Sequence, residues 1–201
     1  MFVQWRPPDP WSYSYLLGLY LGDGCVVQHE RAARLVITLD GLYPDIIDEA
    51  VAADQLAVPQ QRVSVLRVRG SRALVIQSYG QSWDRVFPQA GPGCKHLRRI
   101  VPADWQREVV DRHPKQFLRG LIHSDGCRTV NRFKTKLPSG RVAEYEYPRY
   151  FFSNLSADIR ALVSEYCERL GVRWTQSNHR NISVPHRDSV ATLDAFIGPK
   201  T

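Results

Sequence analysis

Two similar stretches decide the fold: Leu16-Leu17-Gly18-Leu19-Tyr20-Leu21-Gly22-Asp23-Gly24 and Leu118-Arg119-Gly120-Leu121-Ile122-His123-Ser124-Asp125-Gly126. Each has the apolar character of a buried helix and ends in an acid that glycine follows. The pattern therefore predicts two helices, each of which delivers one carboxylate, Asp23 or Asp125, at its C-terminal end.

Small residues recur four positions apart in both stretches. They are Gly18 and Gly22 in the first and Gly120 and Ser124 in the second. Residues at this spacing share one helix face, so each helix presents a flat stripe along which another backbone can approach closely. We expect these four residues to form the interface between the two helices, which would bring the two acids together.

The segments that follow the two stretches repeat one order of elements. In the first half, the pattern predicts helix 13–21, strands 25–30 and 34–39, helix 44–56, strands 62–69 and 73–79, and helix 82–87. In the second half, it predicts helix 115–124, strands 128–136 and 150–154, helix 157–170, strands 173–177 and 181–184, and helix 189–196. A polar loop is expected over 137–147.

This repetition has a period of about one hundred residues, which suits two fused, pseudo-symmetric halves better than a solenoid. The sequence thus predicts an α+β fold with two αββαββα half-domains, residues 1–90 and 115–201, joined by a linker over 91–114. The two sheets are expected to be antiparallel.

Composition limits function only broadly. The chain has 201 residues, a net charge of +7 and four widely spaced cysteines without a Cys-x-x-Cys pair. These features indicate a globular protein with reduced thiols and a preference for a polyanionic partner. No stretch reaches the length of a membrane span and no signal peptide is evident, so a cytoplasmic location is expected, with the nucleoid as the site of bound protein.

Two carboxylates at helix C-termini repel each other and the partial negative charge of the helix ends. A hard divalent ion held by carboxylates and main-chain carbonyl oxygens would offset that charge. Such an ion can also activate water and stabilise a leaving phosphate oxygen. The paired acids therefore favour a Mg²⁺ site, in which Mn²⁺ can substitute, formed by Asp23 and Asp125 with Gly22 and Ser124.

Both stretches resemble the LAGLIDADG motif of homing endonucleases, and the order of helices and strands is similar to that family over the whole chain. The resemblance implies saddle-shaped β surfaces in the DNA major groove and metal-dependent cleavage of both strands that leaves short 3′ overhangs. It implies a monomer acting on a long pseudo-palindromic site. It also carries the catalytic role to Asp23 and Asp125, whereas Leu21 and His123 depart from the acid at the sixth motif position.

The resemblance also implies a lysine and a polar amide near the metal-bound water. Lys95 and Lys200 follow the last helix of each half, at similar sequence separations from Asp23 and Asp125, and are the candidates for this lysine. The alternative is that both are lysines of exposed loops. Asn154 is a candidate for the amide, or else a cap for the following helix. Its counterpart in the first half falls at residue 38 or 39, which leaves open two unequal catalytic centres.

Basic residues of one parity predict a DNA-contacting strand surface. In the second half they are Arg128, Arg132, Lys134 and Lys136, and in the first half Arg67 and Arg69, with Gln77 as a neighbour. The alternative function is a DNA- or RNA-binding protein of the same fold that does not cleave, such as a transcription regulator or an intron maturase. Retention of both acids favours the nuclease.

Overall fold

A computed structural model describes residues 5–198 of the chain. The first half contains α1 (Pro10–Asp23), β1 (Gly24–Gln28), β2 (Ala33–Asp40), α2 (Pro44–Ala57), β3 (Val63–Arg67), β4 (Ala73–Gly80) and α3 (Trp83–Val86). A short 3-10 helix (Lys95–Leu97) and α4 (Asp104–Arg112) follow. The second half contains α5 (Pro114–Asp125), β5 (Gly126–Lys136), β6 (Val142–Ser153), α6 (Ala157–Arg169), β7 (Thr175–Gln176), β8 (Asn181–Val184) and α7 (Arg187–Ile197).

The strands form two four-stranded antiparallel sheets, one in each half. Their orders are β1-β2-β4-β3 and β5-β6-β8-β7, so the second sheet repeats the topology of the first. The predicted α+β class and the repeated αββαββα order are confirmed. Within residues 5–198, no helix is both long enough and apolar enough to cross a membrane.

The motif helices α1 and α5 form the centre of the molecule. Every residue of α1 from Ser12 to Leu21 is buried, as expected for a helix that is apolar on all sides. A Cβ placed on Gly120 would lie only 3.0 Å from the Cα of Gly18 and closer still to the carbonyl oxygen of Tyr15. The predicted stripes of small residues therefore do allow the two backbones to meet.

Helix α1 starts earlier than its apolar pattern suggested. Its N-cap is Asp9, whose side chain accepts from the backbone N–H of Trp11, and Pro10 occupies the first turn. Proline is favoured there because its missing N–H would have no helical partner. Ser14 lies inside the helix and donates to the carbonyl of Pro10 at 2.9 Å.

The segment predicted as a linker contains helix α4, which packs on the start of α1. The Gln106 amide donates to the hydroxyl of Tyr13 at 2.7 Å, and the Trp105 ring lies 5.3 Å from the Tyr13 ring. Pro102 and Pro114 flank this short helix, and prolines are typical of linkers, so the sequence did not indicate a helix here. The connection between the halves is thus part of the core.

The second correction concerns the polar loop expected over 137–147. Strand β6 already begins at Val142. It pairs with the whole of β5, from Gly126 opposite Phe152 to Lys136 opposite Val142. Only a short turn joins the two strands. Ion pairs and stacked rings across the hairpin stabilise it, although most of its residues are exposed.

Candidate active site

Asp23 and Asp125 are the last residues of α1 and α5, and the charges of both act on the ammonium of Lys95. Both are half-buried. A Cβ on Gly22 would lie 3.0 Å from Oδ2 of Asp125 and would overlap the side chain of Ser124. The carboxylate of one half therefore packs directly against the backbone next to the carboxylate of the other.

Lys95 lies at the C-terminal end of α1, between the two acids. Its ammonium donates to the carbonyl oxygens of Leu21 at 2.8 Å and of Gly22 at 3.0 Å, and also to that of Tyr20. These carbonyls carry the negative end of the helix dipole, which the ammonium offsets.

Burial lowers the pKa of Lys95 to about 8, while the charges of Asp125 and Asp23 act in the opposite direction. Lys95 thus lies at the helix end that carries the motif acid, and Lys200 lies outside the described residues.

A second basic group near this site was missed. The positive charge of Arg98 acts to lower the pKa of Lys95 and that of the Tyr20 hydroxyl. The Nε of Arg98 is buried without a hydrogen-bond partner. The basic run from Lys95 to Arg99 was the available signal. It was not used because the segment was interpreted as a linker.

Asn154 contacts the motif acid of its own half. Its Nδ2 donates to Oδ2 of Asp125 at 2.6 Å, while its Oδ1 accepts from the backbone N–H of Ser156 at 2.7 Å. The two interpretations of this residue are therefore compatible. The bond to the start of α6 fixes the orientation of the amide, and the amide in turn holds the carboxylate.

The first half has no amide at the matching position. Gly24 pairs with Ile37 and Gly126 pairs with Phe152, so the counterpart of Asn154, two residues further along, is Leu39. The two centres differ at this position because Leu39 is buried in the core and has no polar group to offer.

Two cavities flank the crossing of the motif helices. One, of about 230 Å³, is lined by residues of both halves that include Asp23, Leu39, Asp40 and His123. The other, of about 270 Å³, is lined by Lys95, Asp125 and Asn154 among others. Each cavity therefore holds one motif acid, but only the second has an amide and a lysine among its described residues.

A metal held by two acids needs further oxygen ligands. Residues 5–198 contain no group of three or more His, Cys, Asp and Glu side chains placed to hold an ion. The predicted set of two carboxylates with main-chain carbonyls is smaller, and its chemistry fits a hard cation. The ammonium of Lys95 at the Gly22 carbonyl shows that this helix end accepts a cation, but also that Lys95 and a metal would compete for that oxygen.

His123 contacts the protein interior through both ring nitrogens. Nε2 lies 3.0 Å from the carbonyl oxygen of Ile197, and Nδ1 lies 2.8 Å from the hydroxyl of Tyr15. A carbonyl only accepts, so Nε2 carries a proton and donates to Ile197, whereas the Tyr15 hydroxyl beside Nδ1 also interacts with Glu49. With 2% of its surface exposed, His123 is an interface residue and not a DNA contact.

The basic row of β5 lies on the face of the sheet that packs against α7. Arg128 is opposite Tyr150, which is in the core, and its guanidinium pairs with Asp194 of α7 at 2.7 Å. Arg132 and Lys134 share that face and pair with Glu146 at 3.0 Å and Glu144 at 3.7 Å. Lys136 ends the same row. The four residues share a face, as predicted, but it is not the open face of the sheet.

A similar correction applies to the first half. Arg67 pairs with Leu74, which pairs with the buried Leu39, so these three lie on the core side of the sheet. Gln77 pairs with Ser64 on the opposite, open face, where it also accepts from Arg34 at 3.2 Å. Arg69 follows the end of β3. Gln77 and Arg67 are therefore not neighbours on one surface.

The open face of the β5–β6 hairpin carries residues that the sequence analysis did not select. They are Thr129, Asn131, Phe133, Thr135, Tyr145, Tyr147 and Arg149, which alternate with the basic row. The alternation of β5 is visible in the sequence, but its basic positions lie on the side of the sheet that faces the core. A sheet face can be assigned only when the buried partner strand is known.

No protein-family model and no curated protein matches the sequence. Solved structures do match the fold. The structure of I-DmoI in complex with DNA and Mn matches with a TM-score of 0.56 at 15% identity, covering 94% of this chain and 97% of that one. The I-LtrWI LAGLIDADG homing endonuclease bound to target DNA matches with a TM-score of 0.54 at 11% identity, covering 96% and 83%.

A third structure, the homing endonuclease I-WcaI bound to its DNA recognition sequence, gives a TM-score of 0.54 at 12% identity and covers 98% of this chain and 84% of that one. At such identities, the likeness establishes the fold and not the activity. Together with the two motif helices and the repeated half-domains, it shows that this chain has the fold of the LAGLIDADG homing endonucleases.

Proposed function

We propose that the chain is a site-specific endonuclease that hydrolyses both strands of duplex DNA with a divalent metal and leaves short 3′ overhangs. Mg²⁺ is the proposed ion, and Mn²⁺ would substitute for it. The protein would act as a monomer on a long site in which each half-domain covers one half. One observation carries the proposal: two half-buried acids from two helices meet beside Lys95 and Asn154.

The acids would hold the metal with main-chain oxygens at Gly22 and Ser124. When bound, the ion would supply charge for the phosphate and lower the pKa of a water molecule. Asn154 would keep the Asp125 carboxylate in one orientation through its 2.6 Å bond. Lys95, positioned by the helix-end carbonyls, would stabilise the charge that develops on the phosphate.

We place the DNA-reading surface on the open faces of the two sheets. In the first half, Arg34 and Gln77 lie there, and their side chains are bonded to each other. In the second half, the face of the β5–β6 hairpin that includes Asn131 and Arg149 would enter the major groove, which admits a two-stranded ribbon. Lys136 lies behind it and would add positive potential, whereas Glu146 and Glu144 offset the charges of Arg132 and Lys134.

The halves would cover unequal lengths of DNA. Strand β5 has 11 residues and β1 has 5. At about 3.3 Å per residue, these lengths are roughly 36 Å and 16 Å. We therefore expect the second half to contact the longer arm of the target, so the pseudo-palindrome would be imperfect.

A cleavage selection tests the proposal. The full chain is incubated with a library of randomised duplexes and Mg²⁺, with EDTA in the control, and the new ends are sequenced. A conserved sequence around paired cuts with short 3′ overhangs is expected. Absence of metal-dependent cuts, or cuts without sequence preference, would rule the proposed activity out.

A further inference from the structure

Three aromatic side chains stack on the open face of the β5–β6 hairpin. The Phe133 ring lies 5.4 Å from that of Tyr145 and 5.9 Å from that of Tyr147, and the two tyrosine rings are 6.0 Å apart. The Phe133 side chain remains 43% exposed although it is apolar. We call Phe133, Tyr145 and Tyr147 the aromatic patch.

The register separates this patch from the charges of the hairpin. Glu144 and Glu146 point to the opposite face, where they are paired with Lys134 and Arg132. Among the described residues of the hairpin's open face, none is acidic. The patch therefore presents apolar surface without a carboxylate that would repel a polyanion.

Positive charge borders the patch on the side nearest the body of the protein. The guanidinium of Arg187 lies 5.3 Å from the centre of the Tyr147 ring, and that of Arg149 lies 5.3 Å from the Phe151 ring. An apolar centre beside fixed guanidinium groups is complementary to a groove with apolar groups in its floor and phosphates at its edge.

The major groove of DNA offers one such apolar group, the 5-methyl group of thymine. The Phe133 ring has no hydrogen-bonding group, so an apolar contact is the recognition it supports, and the ring faces of Tyr145 and Tyr147 extend that apolar surface while their hydroxyls remain able to bond to phosphates. Resting on the proposed DNA-binding function, we infer that the aromatic patch reads thymine methyl groups and makes the protein select thymine-containing base pairs under the hairpin.

The position of these base pairs follows from the strand. Phe133 is seven residues beyond Gly126 on β5. At about 3.3 Å per residue, this is roughly 23 Å, or about seven base pairs of B-form DNA. Tyr147 lies opposite Asn131, five residues beyond Gly126, which is roughly 16 Å or about five base pairs. With Gly126 near the midpoint of the target, the methyl contacts should therefore fall about five to seven base pairs from it, in one arm only.

Deoxyuridine tests this directly, because it differs from thymidine only in lacking the methyl group. A target is first enriched from randomised duplexes by binding to the wild-type chain in EDTA. Each thymine of that target is then replaced singly by deoxyuridine, and the dissociation constant is measured. We expect about a fourfold loss per buried methyl group at the positions beneath the hairpin and little change in the other arm.

Variants of the hairpin supply the matched comparison. Phe133→Ser should remove the discrimination between thymine and uracil, whereas Val142→Thr, an exposed apolar residue on the opposite face of the same hairpin, should keep it. An enriched duplex that binds equally well with uracil throughout would overturn this inference and leave the endonuclease proposal intact. Failure to enrich any duplex would overturn both. A change in the sedimentation of DNA-free protein caused by Phe133→Ser would assign the patch to self-association and overturn the inference.

Discussion

Gly18 and Gly120 lie against each other where α1 crosses α5, so closely that a Cβ on Gly120 would be 3.0 Å from the Cα of Gly18. The contact is between backbones, and no rotamer change can relieve it. We expect Gly120→Ala to prevent the halves from packing, and to lower the free energy of unfolding by several kcal/mol or abolish folding. Chemical denaturation followed by circular dichroism measures this. A variant with wild-type stability would show that the helices do not approach so closely.

At Gly22, a second substitution can test whether the clash is with the side chain of Ser124. A Cβ there would overlap the side chain of Ser124, and not its backbone. Gly22→Ala should therefore be destabilising alone, but the combination with Ser124→Gly should recover most of the loss. Thermal unfolding of the two single variants and the double variant provides the test. Additive losses in the double variant would contradict the proposed facing of these two positions.

Unequal centres should cut the two strands at unequal rates. Asn154 holds Asp125, but the corresponding position in the first half is Leu39. We expect Asn154→Leu to slow cleavage of one strand by roughly tenfold to a hundredfold, so that nicked DNA accumulates. Duplexes labelled on each strand in turn report both rates. Because the substitution also removes the bond to the Ser156 N–H, the rates are compared at a temperature at which circular dichroism shows the variant to be folded. Unchanged DNA affinity is the control, and equal slowing of both strands would argue against separate centres.

Lys95 should matter for cleavage and not for affinity. Its ammonium is bound to helix-end carbonyls between the acids and does not lie on an open sheet face. Lys95→Met removes the charge but keeps much of the side-chain volume, and should reduce cleavage on the order of a hundredfold. Arg149→Met, on the open face of the β5–β6 hairpin, is the comparison and should mainly weaken binding. A Lys95→Met protein that cleaves at the wild-type rate would remove Lys95 from the site.

The buried carboxyl of Asp54 should make stability depend on pH. Burial raises its pKa to about 6, although the hydroxyl of Ser78 donates to it at 2.6 Å. A group with a raised pKa in the folded state favours folding most at low pH, and this contribution is lost as pH rises from about 4 through about 6. Asp54→Asn should therefore stabilise the protein by about 2–3 kcal/mol more at pH 7.5 than at pH 4.

Urea denaturation of wild type and variant at several pH values between 4 and 8 measures this difference. Asp48→Asn, at an exposed position of the same helix, provides the control and should show little effect. If the stability difference between Asp54→Asn and wild type did not change with pH, Asp54 would not carry a buried charge at neutral pH.

The motif helices and the order of elements were predictable because their signals are local. Each motif has a stripe of small residues, Gly18–Gly22 or Gly120–Ser124, followed by an acid. The acid and the glycine after it indicate where the helix ends, and the repeated stripe indicates which helix packs against it. Asn154 and Lys95 were predictable only through the family resemblance. Their contacts with Asp125 and with the helix-end carbonyls join residues far apart in sequence, which no local pattern encodes.

The sheet face that we propose to contact DNA was the least predictable part. A strand pattern shows that Arg132 and Lys134 share a face, but not which face the core occupies. That choice depends on Tyr150 of the neighbouring strand and on Asp194 of a distant helix. Both faces of the exposed hairpin contact solvent, so the hydrophobic pattern gives little indication of which face is on the core side. The basic residues Arg132 and Lys134 are paired with Glu146 and Glu144.

The central claim is that Asp23 and Asp125 together cut duplex DNA, and strand-specific cleavage by Asp→Asn variants tests it most directly. Wild type, Asp23→Asn and Asp125→Asn are each incubated with Mg²⁺ and a duplex recovered by the cleavage selection, and binding is measured in parallel in EDTA. Both variants should bind with nearly wild-type affinity and make no double-strand breaks. Double-strand cleavage at the wild-type rate by either variant would contradict the claim.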